Sequence, residues 1–285
     1  AAAEEAAEAE AAAASSAVDK AVAGFGLGLL EDAGRYLGVM THALGSFAHP
    51  AAERSHAWDL RNLAGVRHFT KHIPDPKRRS LVEGVIGAFE ETAWPLDGRL
   101  PKCVIMGDFN DANVIVGPAE GPLSPASRVV TDGGVGLKTV GVIDFGDMVN
   151  SWRVNEVAIA MAYAMVSAFG QLDYTNPVQT DSAGDGAKEE MPVAAALALL
   201  KGYAAAFQLT PLEVGLLRVL AAGRLACSYS MGCYSHSKDP GNAYLLLHAE
   251  PAVKALESWW VKPDAAKLEQ RIAQAAQAPG FVTVD

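Results

Sequence analysis

Cys103-Val-Ile-Met-Gly-Asp108-Phe-Asn-Asp-Ala-Asn113-Val-Ile115 is a short apolar run of β type that breaks into carboxylates and amides and then resumes. Further along, Gly141-Val-Ile-Asp144-Phe-Gly-Asp147 repeats the design: an apolar strand ending abruptly in acid. Two such strand ends set side by side would gather Asp108, Asn113 and Asp144 around one small volume. A carboxylate there can take a proton from a hydroxyl. An amide oxygen and a second carboxylate suit a hard divalent cation such as Mg²⁺, which favours sparse oxygen sites completed by water and phosphate. That combination is the minimum equipment for phosphoryl transfer from a nucleoside triphosphate, where the protein mainly positions groups and offsets charge.

Working outward, the chain divides into three parts. Residues 1–28 form an Ala/Glu-rich, low-complexity leader, helical or disordered, which matches neither a secretory signal nor a transit peptide. Residues 29–262 carry the motifs, and residues 263–285 form a C-terminal helix and tail. Apolar positions Leu30, Ala33, Leu37, Met40 and Leu44 recur at helical spacing, predicting a helix from Leu29 to Phe47. His49-Pro50 stops it, and a loop bearing Trp58-Asp-Leu60 follows. Asp75-Pro76 opens a second helix over Arg78–Phe89. Strands are expected at 103–106, 113–116 and 139–144, with a long Gly/Pro/Ser-rich loop over 117–137.

Beyond Asp147 the pattern is helical. Val154–Phe169 reads as a buried helix, Gln171–Glu190 as a polar loop, and Pro192–Phe207 as another helix. Thr210-Pro-Leu-Glu213 has the form of a capping box with Pro at the first helical position, so a helix should run from there to about Tyr229. Asp239-Pro-Gly-Asn242 is a turn before a helix ending near Trp260. No alternating βαβ order supports a Rossmann sheet.

Half of the residues are hydrophobic (50%), so most of the chain should be globular. A net charge of −10 argues against a nucleic-acid partner, which calls for a basic face. It does not exclude a nucleotide, because a bound cation reverses the local field. The longest apolar stretch, Val157 to Phe169, falls short of the roughly 20 residues that span a bilayer, so no membrane partner is expected. Cys103, Cys227 and Cys233 are too few and scattered for a disulfide framework and fit a reducing compartment, with a cytoplasmic location as the default.

Gly107-Asp-Phe-Asn-Asp-Ala-Asn113 with Val142-Ile-Asp144-Phe-Gly-Asp147 resembles the signature of the aminoglycoside phosphotransferase and choline kinase superfamily, relatives of protein kinases. Arg224-Leu-Ala, Tyr234, Asp239-Pro-Gly-Asn-Ala-Tyr244 and Glu250-Pro251-Ala are similar to the C-terminal pattern of hydroxylysine kinases and of their fusions to class III aminotransferases. Phe47-Ala-His49-Pro50 and Trp58-Asp59-Leu60 fit the same group.

The resemblance implies an α+β, mainly helical fold: the large (C-terminal) lobe of a protein-kinase-like architecture, with a small β cluster carrying the catalytic and metal loops. It implies ATP or GTP as co-substrate, Mg²⁺, and a small amino alcohol such as 5-hydroxylysine as acceptor. Carried over by position, Asp108 would be the catalytic base, and Asn113 and Asp144 the metal ligands.

Asp147 and Asp111 are candidates for contact with the acceptor's ammonium, against a plain turn-forming role; Asn110 is a turn former. Glu156 is expected to anchor the catalytic loop, and Arg153 could pair with phosphate or with Glu156. Such families usually carry His before Gly-Asp as a brace for that loop, where this chain has Met106. They also place a β-rich small lobe with a phosphate-binding lysine ahead of the first helix. No lysine here sits in such a pattern, so the chain resembles the large lobe alone, weak or inactive by itself, its small lobe or a fused domain lying elsewhere. A non-catalytic lobe used for binding or assembly is the alternative.

Gly24-Phe-Gly-Leu-Gly28 follows no strand, and Gly133-Gly-Val-Gly-Leu-Lys138 lacks the glycine that a P-loop needs before its lysine. His68 and His72 are expected to pack or face solvent, and Tyr229, Met231 and Tyr234 to belong to the core.

Overall fold

The computed structural model describes residues 26–118, 137–174, 185–246 and 248–277. Residues 1–25 of the expected Ala/Glu leader, most of the 117–137 loop and the middle of the 171–190 loop lie outside them. So do the start of the Gly24 motif and most of the Gly133 motif. The last residues of that leader, Leu27 and Gly28, belong to the first helix instead.

The architecture is α+β and mainly helical. Helix α1 (Leu27–Leu44) buries Leu37 and Ala33, the positions that the apolar spacing singles out. Residues Leu60–His72, expected as loop, wind instead as a tight 3₁₀ segment capped by Asp59. Helix α2 (Pro76–Thr92) starts at the Asp75 cap, whose carboxylate accepts the Lys77 N–H at 2.7 Å. Helix α3 (Val154–Tyr174) lies at the centre of the core.

Helix α4 (Asp185–Ala204) begins inside what reads as polar loop and tolerates Pro192 within it. Helix α5 (Pro211–Lys238) carries the expected capping box and runs nine residues past Tyr229. Helix α6 (Ala249–Leu256) gives way to a π turn at Glu257–Val261, and helix α7 (Ala265–Ala275) follows the Asp264 cap.

Four strands make two antiparallel ribbons. β1 (Lys102–Ile105) pairs with β4 (Val149–Trp152), and β2 (Val114–Pro118) pairs with β3 (Leu137–Val142). The register runs Cys103↔Ser151 in the first ribbon and Val114↔Val142 in the second, with an irregularity at Ile115/Val116. β4 escapes sequence reading because Val-Asn-Ser-Trp has no alternation of apolar β-formers.

Helices α1 and α4 meet backbone to backbone. A Cβ on Gly34 would overlap the Leu199 carbonyl, and one on Gly202 would overlap the Glu31 carbonyl. Only glycine permits this approach. The β2–β3 ribbon is tied to the same layer by buried Asp32, whose carboxylate accepts the Thr139 N–H at 2.7 Å. The helical stack thereby fixes where the ribbons end.

Candidate active site

β1 is buried except at Lys102 and delivers the chain to Met106 and Gly107. Glu156, in the first turn of α3, is fully buried; its two carboxylate oxygens accept the N–H of Met106 at 2.6 Å and of Gly107 at 3.2 Å. Burial pushes the Glu156 carboxyl up to about 7, against the opposing pull of those two backbone donors. Gly107 turns the chain at φ +77°, where a Cβ would stand 3.3 Å from the Asp147 carbonyl oxygen. The Met106 side chain packs in the core, so the loop is braced through its main chain.

Asp108 follows the turn. Its Oδ2 accepts from the Asn110 and Asn113 amides, both at 3.0 Å, and the Asn113 amide also donates to the Asp108 carbonyl at 2.9 Å. Asn110 closes the loop by accepting the N–H of Ala112 at 2.9 Å and of Asn113 at 3.1 Å, the Asx-type turn that its side chain favours. Asp108 Oδ1 accepts from Arg224 at 3.1 Å.

Arg224 is 1% exposed. Its guanidinium also donates to the Trp58 carbonyl at 3.1 Å and to the Tyr163 hydroxyl at 2.8 Å, and lies over both aromatic rings. Burial raises the Tyr163 phenol, so it meets Arg224 as a neutral hydroxyl. The loop that carries Trp58 is pinned to β4 through buried Asp59, which accepts from Ser151 at 2.6 Å and from Arg61 at 2.9 Å.

β2 and β3 bring Asn113 and Asp144 to neighbouring strand ends: the Ile143 N–H donates to the Asn113 carbonyl at 3.0 Å. Asp144 is exposed, adopts φ +59°, and accepts the Gly146 N–H at 3.1 Å. Arg54 holds the turn after it through the Gly146 carbonyl at 2.5 Å and the Met148 carbonyl at 3.2 Å.

A cavity of about 420 Å³ opens between the Asp108 loop and α5, lined by Trp58, Asp108, Asp111, Asp147, Tyr163 and Arg224 among others. Asp147 faces it with His56 Nε2 at 3.3 Å from its carboxylate. Asp144 lies outside this lining, so the structure joins Asp108 to Asn113 directly and sets Asp144 on the adjacent flank. Among the described residues no three His, Cys, Asp or Glu side chains gather into a metal cluster. The expected pair of Asn113 and Asp144 is a sparser set of another kind.

Arg153 makes a bidentate pair with buried Glu213, at 2.7 and 3.1 Å, and so serves the α5 cap. His72 stacks edge-on against Tyr234 and meets Ser237. Met231, expected in the core, packs half-buried against it and also lines the cavity.

Arg224, Tyr163 and His56 are the site residues that sequence reasoning missed. Arg224 did carry a signal: it stands in Leu220-Ala-Ala-Gly-Arg-Leu-Ala-Cys227, and a lone cation in an apolar helical run must be paired if buried.

The sequence model of the phosphotransferase enzyme family matches residues 26–197, more than half of the chain. The chain belongs to that family. It is 29% identical over 234 residues to a hydroxylysine kinase of Mus musculus, covering 80% of this chain and 54% of that protein. It is 26% identical over 234 residues to a hydroxylysine kinase of Bos taurus, with the same coverage of 80% and 54%. The chain spans about half the length of the curated relatives it matches. A solved structure of amicoumacin kinase hAmiN in complex with AMP-PNP, Ca²⁺ and Ami is similar to it at 14% identity and a TM-score of 0.48, covering 82% of this chain and 60% of that one. No described helix is long and apolar enough to cross a membrane.

Proposed function

We propose that this phosphotransferase moves the terminal phosphoryl group of ATP or GTP to the hydroxyl of a small amino alcohol of the 5-hydroxylysine kind. The observation that carries the reading is Asp108, a carboxylate fixed by three donors at the wall of a cavity sized for a small molecule. The acceptor oxygen attacks the terminal phosphorus, the bond to the bridging oxygen breaks, and the nucleoside diphosphate leaves. The hydroxyl proton passes to Asp108.

Asp147 and Asp111 give the cavity negative potential for the acceptor's ammonium. Glu156 and the Met106 main chain hold the loop. Residues 29–262 act as the large lobe of a kinase-like enzyme, with residues 263–285 as its C-terminal helix and tail.

The residues fit a hard divalent cation. The Asn113 nitrogen is spent on Asp108, which leaves its amide oxygen on the other branch, and Asp144 Oδ1 is engaged by Gly146, which leaves Oδ2. Mg²⁺ held by Asn113 and Asp144, when bound, neutralises charge building on the phosphate oxygens.

The test is nucleoside diphosphate release with phosphorus NMR of the product, using ATP or GTP and 5-hydroxylysine. Asp108→Asn is expected to lower the rate at least about 100-fold, the scale of a lost general base. An unchanged rate removes Asp108 from that role.

A further inference from the structure

Among the described residues Arg224 is the one buried Arg or Lys, placed mid-helix on α5, 116 residues from the carboxylate it meets. Burying a guanidinium is costly, and a helix kept only for packing is served at least as well by Leu or Met. Its surroundings offer one full negative charge, Asp108. The other partners are a carbonyl, a phenol and two aromatic faces, while its Nε has no hydrogen-bond partner. So expensive an arrangement, aimed at a single carboxylate, calls for an explanation in what that carboxylate does.

The donors on Asp108 divide unevenly. Oδ2 accepts two amides, from Asn110 and Asn113, and Oδ1 accepts Arg224. With donors on both branches the carboxylate plane cannot rotate, and Oδ1, the less occupied branch, is left to meet an incoming hydroxyl. The guanidinium is itself held in place: Nη1 donates to the Trp58 carbonyl, Nη2 is shared between Asp108 and the Tyr163 hydroxyl, and both aromatic rings lie against its faces.

We propose that Arg224, clamped by Trp58 and Tyr163, is a positioning residue for phosphoryl transfer: it sets the orientation of Asp108 so that Oδ1 faces the acceptor. This rests on reading Asp108 as the base. Arg224 stands at the cavity wall but is 1% exposed, its donors turned to Asp108, Tyr163 and Trp58, so it acts through Asp108, and its loss lowers kcat and spares acceptor binding. The pairing also makes Asp108 hard to replace. An amide at 108 accepts on one branch and donates on the other, so it must set donor against donor either at Arg224 or at the two asparagines.

The experiment compares Arg224→Met, Arg224→Lys, Asp108→Asn and the double variant Asp108→Asn/Arg224→Met in the intact protein, with ATP and 5-hydroxylysine, by steady-state kinetics and thermal melting. Arg224→Met is expected to lower kcat about 100-fold, the effect of a misplaced catalytic group, and to leave the acceptor KM within about threefold. Arg224→Lys should recover part of that loss, since it returns the charge without the fork. The double variant should turn over no more slowly than Asp108→Asn and melt above it, because it removes the buried cation left alone by the first change.

Full kcat in Arg224→Met, a loss confined to KM, or a double variant slower than Asp108→Asn by the whole factor of Arg224→Met overturns the inference. Additive melting shifts overturn the pairing without any need for turnover. Should Arg224→Met fail to fold, Arg224→Lys decides by the same split between kcat and KM. An Asp108→Asn protein that keeps its rate refutes the base reading, and this inference with it. A dead Asp108→Asn beside a normal Arg224→Met refutes this inference alone.

Discussion

Replacing Glu156 with Gln should change how stability depends on pH, and the size of the effect follows from the site. Glu156 is fully buried, and its carboxyl stands at about 7 against 4.5 for the free group, with burial as the main cause. The folded protein therefore holds this proton more tightly than the unfolded chain. The stability gained from that proton is complete below 4.5 and lost as pH rises through about 7.

Between about pH 8 and about pH 5 the linkage is worth about 2–3 kcal/mol in favour of the fold at the acid end, undiminished by solvent because the group is enclosed. Gln cannot titrate, and it can accept only one of the two backbone N–H groups now bonded to the carboxylate. Urea unfolding of both proteins across that range should show the natural chain gaining about 2–3 kcal/mol over Glu156→Gln on acidification. A difference that stays constant within about 0.5 kcal/mol refutes the raised carboxyl and the enclosure behind it.

Other outcomes follow from single contacts. Asp147→Asn should raise the KM for a cationic acceptor about tenfold in steady-state kinetics and spare kcat, since it removes charge at the cavity wall and leaves Asp108 in place. Gly202→Ala should cost about 3 kcal/mol or more in denaturant unfolding, because its methyl would occupy the position of the Glu31 carbonyl on a facing helix. Burial pushes Cys103 and Cys227 up to about 11 and raises Cys233 as well, so a thiol reagent at about pH 8 should label none of them until the protein is denatured.

What was legible in the sequence is what local chemistry determines. The Thr210–Glu213 capping box forms as read, because its hydrogen bonds close within one helical turn. The buried side of α1 and the strand leading to Asp108 follow from periodicity and an abrupt polar stop. The contact of Asn113 with Asp108 follows from a loop too short to do otherwise.

The rest depends on distant partners. β4 is a strand because β1 lies beside it and Asp59 takes up the Ser151 hydroxyl, not because Asn150 and Ser151 favour extended backbone. Residues 60–72 hide their winding behind Gly65 and a run of basic side chains. Asp185 to Glu190 looks polar enough for a loop yet opens a helix that packs on α1 and α3. His56 gains its meaning only when the chain returns 91 residues later with Asp147, a pairing that no local pattern announces.

Asp144 is the described residue other than glycine with positive φ, and such a conformation costs an ordinary side chain on the order of 1 kcal/mol. Glycine would relieve the strain and discard the carboxylate in one step. Robustness and chemistry therefore pull this position in opposite directions. A variant library ranked by melting temperature should accept Gly at 144, and the same library ranked by phosphorylated product should reject it.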